Sequence, residues 1–142
     1  MFARALLLAT IFLVLTPLGP ALAADLTIAV TGLRNADGLV RLAIFDKASE
    51  FPEGEELKSR DVPARAVALT VRFTGLEPGR YAVAMHHDEN GNQQMDSYIF
   101  GIPKEGYGFS RDAPVFFGPP GFDRAAVTLP PRGLAIEIEV RY

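Results

Sequence analysis

Residues 67–88, VALTVRFTGLEPGRYAVAMHHD, hold two runs in which apolar side chains occupy every second position. The positions that keep this period are Val67, Leu69, Val71, Phe73, Tyr81, Val83 and Met85. Between the runs, LEPG at 76–79 predicts a turn, because Pro78 restricts φ and Gly79 permits a positive φ. Alternation with a period of two is typical of strands that bury one face and expose the other. The stretch therefore predicts two half-buried β-strands separated by a tight turn.

Strand patterns recur along the rest of the chain. Five further segments carry them: 26–31, 38–46, 115–117, 124–129 and 133–142. Residues 47–60 hold at most a turn or two of helix, because Pro52 and Gly54 interrupt them. Six to seven strands in one chain predict an all-β fold, a single antiparallel β-sandwich of immunoglobulin-like or transthyretin-like type.

Residues 1–23, MFARALLLATIFLVLTPLGPALA, have the features of a secretory signal peptide. Arg4 gives a positive start, an apolar run follows, and residues 21–23 form a small-x-small cleavage site. Proline and glycine at 17–20 end the run too early for a spanning helix of about 20 residues. We expect a mature chain of residues 24–142 that forms one domain, has no transmembrane segment and is periplasmic or secreted.

The charge of the mature chain excludes one class of partner. The sequence has 14 basic and 17 acidic residues, and loss of Arg4 leaves 13 basic residues and a net charge of −4. A chain this acidic does not suit a nucleic-acid binder that works through phosphate contacts. The chain also has no cysteine, so its stability rests on the core or on a bound ion rather than on disulfides.

The segment HHDENGNQQMD at 86–96 contains alternating side chains that carry oxygen. Four of them follow the spacing of the first ligands of a calcium loop: Asp88, Asn90, Asn92 and Asp96. The match to an EF-hand is partial, since Gln93 stands at the glycine position and Ile99 at the position of the bidentate Glu. The pattern predicts a candidate calcium site at 88–96, of a kind found in secreted β modules.

A metal-free turn predicts the same residue types. Asn and Asp form hydrogen bonds with their own backbone and tolerate left-handed conformations. Asn90-Gly91 by itself favours a hairpin turn. A calcium loop and a bare structural turn therefore both stay open.

His86 and His87 are the two histidines of the chain. Adjacent residues in a strand face opposite sides, so both cannot easily hold one transition-metal ion. A hydrolase would use His87 with Glu105 or Asp112, but no motif marks out a nucleophile or base. We therefore expect a non-enzymatic protein in which one histidine packs beneath the loop and donates to a carboxylate.

The segment 88–123 is rich in glycine, proline and aromatic residues, which predicts one long ordered connection packed on the sandwich. Within it, FGIPKEGYGFS at 100–110 is either a stacking surface for a protein or glycan partner, or a lid that fills volume. The residues expected at a ligand or partner surface are His87, Tyr98, Glu105, Tyr107 and Phe109.

The run YAVAMHHDENGNQQMDSYIFGIPKEGYGFS at 81–110 resembles a bacterial family known as domain of unknown function 2141. The matching residues are Gly79, Tyr81, Ala82, His87, Asp88, Asn90, Asn92, Asp96, 100–103 and 105–110, with Gly38, Ala43, Phe45 and Asp46 earlier in the chain. The sequence departs at Gln93, where family members often carry glycine. The resemblance implies an exported single-domain β-sandwich of Gram-negative type whose two loops act together, and it implies no particular activity.

Two hypotheses follow for the function. In the first, a non-enzymatic exported module binds calcium at 88–96, and the ion orders the aromatic loop beside it. In the second, a metal-free structural or interaction domain presents its 88–123 loops to a protein or glycan partner.

Overall fold

Eight β-strands form two sheets in the computed structural model, which describes residues 23–65 and 68–142. The strands are β1 Ala24–Thr31, β2 Leu39–Phe45, β3 Lys58–Pro63, β4 Leu69–Leu76, β5 Gly79–Asp88, β6 Gly106–Phe109, β7 Val127–Leu129 and β8 Leu134–Glu139. A short helix, α1, spans Phe122–Ala125. The predicted all-β, two-sheet fold is confirmed. The expected signal peptide (except Ala23) and Val67 lie outside the described residues.

The smaller sheet has the strand order β4-β1-β8. In β1, every second residue from Ala24 to Val30 is buried, as the alternation predicts. β4 runs antiparallel to β1, whereas β8 runs parallel to it, with Ile28 opposite Ile136. The expectation of a wholly antiparallel sandwich is therefore wrong at this pair, because a period-two pattern reports which face is buried and not the direction of the neighbouring strand.

The larger sheet has the order β3-β2-β5-β6, and β7 also pairs with β5. β2 lies antiparallel to β5, with Ala43 directly opposite Ala84. The other edge of β5 is shared, since β6 pairs with residues 84–87 and β7 pairs with residues 79–81. The turn predicted at 76–79 connects β4 to β5 and so carries the chain from one sheet to the other.

The main hydrophobic core lies between the two sheets. Its members include the inward side chains of β1, β2, β4, β5 and β8, among them Leu26, Ile28, Leu42, Ile44, Phe73, Val83 and Ile138. These side chains have at most 2% of their surface exposed. Burial of each stabilises the fold by about 1.5–3 kcal/mol before conformational entropy is counted.

A second hydrophobic cluster covers part of the outer face of the larger sheet. Phe51, from the connection between β2 and β3, packs edge-on against Phe45, Phe109 and Phe122, with ring centroids 5.4, 5.8 and 6.1 Å apart. Ala82, Ala113, Ala125 and Ala126 complete the cluster. This packing holds the segment around α1 against the sheet. The predicted single connection at 88–123 is divided by β6, which lies within it.

Several local predictions differ from the structure. The predicted strand at 115–117 does not form. The helical turns allowed at 47–60 are irregular turns followed by β3. The predicted strand at 124–129 is shortened to β7, which follows α1 in the chain. The sequence also missed β3 and β6. β3 is an exposed edge strand without an apolar face, and β6, GYGF, has glycine at the two positions that face the core.

The glycines of β6 are explained by a close approach. A Cβ atom at Gly106 would lie 2.6 Å from a side-chain carbon of Val140, and one at Gly108 would lie 2.6 Å from a side-chain carbon of Ile138. The residue between them, Tyr107, forms backbone hydrogen bonds with Arg141 in both directions. The C-terminal segment can therefore join the larger sheet only because β6 has no side chains at these two positions.

No helix within the described part of the chain is long and apolar enough to cross a membrane.

Candidate functional site

Asp88 closes the polar loop, residues 88–96, by accepting hydrogen bonds from the loop backbone. This residue ends β5 and is fully buried. One carboxylate oxygen accepts the backbone N–H of Asn92 at 3.1 Å, and the other accepts the backbone N–H of Gln93 at 2.8 Å. The loop therefore folds back on its first residue, as short polar side chains favour.

The other three predicted ligands converge on one another. The Asn90 amide donates to Asp96 at 2.5 Å, and the Asn92 amide donates to the same carboxylate at 3.3 Å. The amide oxygens of Asn90 and Asn92 accept the backbone N–H groups of Asn92 and Gln94 at 2.9 and 2.8 Å. The structure thus brings Asp88, Asn90, Asn92 and Asp96 into one hydrogen-bonded group.

Gln93 has the left-handed conformation, with a φ of +64°. It occupies the sixth position of the loop, where calcium loops of the EF-hand type place glycine to make a sharp turn. The chain makes this turn with a residue that has a Cβ atom, which costs about 1 kcal/mol or more. Gly91 also has a positive φ, so the loop curls at both positions.

The donor set of the polar loop consists of oxygen atoms. Oxygen ligands suit calcium or magnesium rather than zinc or copper. In the described part of the chain, no group of three or more His, Asp or Glu side chains is placed to hold a metal ion. The loop offers two carboxylates and two amides, and further ligands would have to be backbone carbonyls or water.

Glu105 lies in the aromatic segment FGIPKEGYGFS at 100–110 and ties this segment to the polar loop. Its carboxylate is almost fully buried and accepts the backbone N–H groups of Glu89 at 2.9 Å and Asp96 at 3.1 Å. His86 Nε2 donates to the same carboxylate at 2.9 Å, as expected for one histidine packed beneath the loop. The Lys104 N–H also donates to the Asp96 carbonyl at 2.8 Å. The two loops therefore lie side by side.

His87 belongs to the core rather than to the expected ligand surface. It has no exposed surface, and its Nε2 donates to the carbonyl of Asp37 at 2.8 Å. Its Nδ1 then accepts the Tyr142 hydroxyl proton at 2.7 Å, while the Tyr142 oxygen accepts the backbone N–H of Arg34 at 3.1 Å. Both ring nitrogens are occupied by structural hydrogen bonds, and burial raises the pKa of Tyr142.

The catalytic pairs considered from the sequence do not form. Glu105 contacts His86 instead of His87. Asp112 accepts the backbone N–H of Glu139 at 3.0 Å. The geometry therefore places His87 beside neither carboxylate.

Arg34, in the β1–β2 connection, holds Glu89, the second residue of the polar loop. Its guanidinium donates to both carboxylate oxygens of Glu89, and Asn35 donates to one of them at 2.5 Å. The hydrogen bond from Arg34 lowers the pKa of the Glu89 carboxyl, with a smaller contribution from Asn35 and an opposing effect of burial. The start of the loop is thus held by an ion pair, and its end is held by the hydrogen bonds of the Asp96 backbone with Glu105 and Lys104.

The aromatic residues divide into two groups. Phe109 is buried in the second cluster and Tyr107 is half-buried beside it, so these two fill volume as a lid does. Tyr98 is 62% exposed and Phe100 is 96% exposed. Other exposed apolar side chains lie near them in the sequence or in the segment before α1: Met95, Ile99, Ile102, Phe116 and Phe117. The lid interpretation fits residues 107–109, and the stacking-surface interpretation stays a prediction for the exposed residues 98–102.

A cavity of about 630 Å³ lies on the outer face of the larger sheet. Its lining comes from β2, β3, β5 and β6 and from the segments 52–56, 95–103 and 115–119. Sequence reasoning missed this site because the alternation of apolar residues does not show that β2 and β5 are neighbours. Tyr107 and Phe109, expected at a ligand surface, line this cavity.

The fold and the site define a β-sandwich module whose loops gather around one end of β5, with a polar loop and a cavity next to each other. A family model described as uncharacterized protein conserved in bacteria (DUF2141) matches residues 28–136. The chain belongs to this bacterial family. No curated protein and no solved structure is matched by the chain.

Proposed function

We propose that the chain is an exported, non-enzymatic β-sandwich module that binds a calcium ion in the 88–96 loop. The observation that carries the proposal is the conformation of this loop. Four side chains with calcium-loop spacing converge, and Gln93 makes the left-handed turn at the position where such loops have glycine.

The ion would act on the neighbouring aromatic segment through contacts already present. A divalent cation offsets the repulsion between the Asp88 and Asp96 carboxylates, which lie in one small group. Asp96 is joined to Glu105 and Lys104 by hydrogen bonds of 3.1 and 2.8 Å. Ordering the polar loop therefore orders residues 97–103, which begin and end at these contacts.

A residue-resolved titration tests the proposal. We expect calcium to shift the ¹H–¹⁵N resonances of residues 88–96, with a dissociation constant of about 10⁻⁴–10⁻³ M because only two ligands are charged. Magnesium at the same concentration should have a smaller effect. Asp96→Asn should weaken calcium binding, since it removes one of the two carboxylates.

The matched control is Asp123→Asn, which makes the same charge change at an exposed carboxylate on α1 that is paired with Arg80 of β5. This variant should titrate like the wild type. Calcium-induced shifts that are absent, or that are equal in both variants, would contradict the proposal.

A metal-free interaction module is the second candidate, and the exposed apolar residues of 95–102 and 116–117 favour it. Neighbouring exposed apolar side chains are typical of partner or glycan surfaces. Migration in native gels that contain soluble polysaccharides tests the glycan form. Retardation that Tyr98→Ala and Phe100→Ser remove would support it, and equal migration in the presence and absence of every polysaccharide would contradict it.

A further inference from the structure

The cavity on the outer face of the larger sheet is not used by the calcium proposal. Its volume of about 630 Å³ falls within the range of about 300–1,000 Å³ that is typical of small-molecule sites. The floor belongs to strands of the sheet, so its shape is set by backbone pairing and not by the polar loop. Segments 52–56, 95–103 and 115–119 form its walls.

The depth of the cavity comes from two small side chains. Ala43 on β2 and Ala84 on β5 lie directly opposite each other, and both line the floor. Phe45, Tyr107 and Phe109 surround this low point with aromatic surface. An apolar floor of small side chains with aromatic neighbours is complementary to a flat apolar group.

The side chains that line the cavity carry an excess of negative charge. The positive charge of Arg41 is already paired, since its guanidinium donates to Asp61 at 3.0 Å and to the Gln93 carbonyl at 3.2 Å. Glu53 and Glu56 also line the cavity, and neither takes part in an ion pair found among the described residues. A cleft with an excess of one charge concentrates ligands of the opposite charge.

We propose that this cavity binds a small molecule that has a flat apolar body and one cationic group. The body lies over Ala43 and Ala84, and the cation faces Glu53 and Glu56. Phe100 and Phe117 directly precede the lining residues Gly101 and Gly118 in the chain, and their side chains are almost fully exposed.

Three indoles that differ only in the end of their side chain provide the probes: tryptamine, tryptophol and indole-3-acetate. The chain has no tryptophan, so the fluorescence of the probe reports binding directly. We expect saturable binding of tryptamine, at least about tenfold tighter than that of indole-3-acetate at low salt, with tryptophol between them. No saturable binding of any probe, or equal binding of all three, would overturn the proposal.

Two kinds of variant locate the site. Ala84→Leu and, independently, Ala43→Leu fill the floor from opposite strands and should abolish tryptamine binding while the melting temperature stays near that of the wild type. Ala135→Leu makes the same change on β8, in the exposed face of the other sheet, and should bind tryptamine like the wild type. Glu53→Gln combined with Glu56→Gln should remove most of the preference for tryptamine over tryptophol.

Binding in both floor-filled variants, or a preference for tryptamine that survives the loss of both carboxylates, would refute the assignment. The titrations are made in EDTA and repeated in calcium. Because the floor is formed by strands, binding in EDTA is expected even if no ion occupies the 88–96 loop. Failure of the calcium proposal and failure of the cavity proposal are therefore separate results.

Discussion

At the scale of single residues, buried polar side chains hold the backbone around the candidate site in place through hydrogen bonds. Asp88, Glu105 and Ser110 are buried, and each accepts backbone N–H groups: Asp88 and Glu105 bind those of the 89–96 loop, and Ser110 binds that of Val83 in β5. His87 donates to the backbone carbonyl of Asp37. In the described part of the chain, no buried side-chain nitrogen or oxygen lacks a hydrogen-bond partner. Changes at these positions should therefore act mainly by leaving buried partners unsatisfied.

Ser110→Ala should lower the free energy of unfolding by about 2 kcal/mol. The hydroxyl accepts the Val83 N–H at 2.9 Å and donates to the Ala125 carbonyl at 2.6 Å, so its loss leaves two buried groups unpaired. Urea denaturation measures the change. The control is Ser49→Ala, which removes an exposed hydroxyl and should change stability by no more than about 0.5 kcal/mol. Equal effects of the two substitutions would be inconsistent with this role of Ser110.

Glu89→Gln should destabilise the protein more at neutral pH than in acid. Arg34 lowers the pKa of the Glu89 carboxyl below its ordinary value of 4.5 in the folded state. The stability that Glu89 contributes is therefore present above 4.5 and is lost as the pH falls through the lowered pKa. Urea denaturation at about pH 7 and about pH 3 should show the gap between wild type and variant shrinking.

The Arg34→Gln background is the control for this pH dependence. Because the hydrogen bond from Arg34 is the main cause of the lowered pKa, Glu89→Gln should show little pH-dependent difference there. A gap that stays constant between the two pH values in the wild-type background would show that Arg34 and Glu89 are not coupled in solution.

At the scale of elements, the apolar alternation predicted the strands that bury one face, including β1, β2, β4 and β5. It could not predict β3, whose side chains are almost all exposed, or β6, whose core positions are glycine. The members of the polar loop could be predicted from their spacing. Their connection to Glu105 and the cavity on β2 and β5 could not, because both depend on which strands become neighbours.

Glu105→Gln should loosen the contact between the polar loop and the aromatic segment. The amide keeps one acceptor oxygen, and its NH₂ group cannot accept a backbone N–H. The amide protons of Glu89 and Asp96 share this carboxylate, so at least one of them should exchange roughly tenfold faster or more. Hydrogen exchange followed by NMR measures the rates.

Glu137→Gln is the matched control for this experiment, because Glu137 accepts a hydrogen bond from Thr31 on the smaller sheet. It should leave exchange at Glu89 and Asp96 unchanged. Unaltered exchange at both amides in Glu105→Gln would mean that the carboxylate does not hold the two loops together.

At the scale of the whole molecule, the sandwich supplies a rigid support and the connections on the outer face of the larger sheet supply the sites. The core between the sheets is continuous through β1, β2, β4, β5 and β8. The segment 95–103 connects the two candidate sites. It includes the last two residues of the proposed calcium loop, and it forms one wall of the cavity. Under the calcium proposal, a bound ion should stabilise the folded state as a whole and order one wall of the cavity.

The most direct measurement of this claim is a thermal melt of residues 24–142 in EDTA, then in calcium and in magnesium, with the variants Asp96→Asn and Asp123→Asn measured alongside. Calcium at about 100 times its dissociation constant adds about 2.7 kcal/mol of stability. For a domain of this size, that raises the melting temperature by roughly 8 °C or more. We expect a rise that calcium produces more strongly than magnesium, that Asp96→Asn loses and that Asp123→Asn keeps. Identical melting temperatures in EDTA and in calcium would contradict the account and leave the 88–96 loop a turn closed by its own side chains.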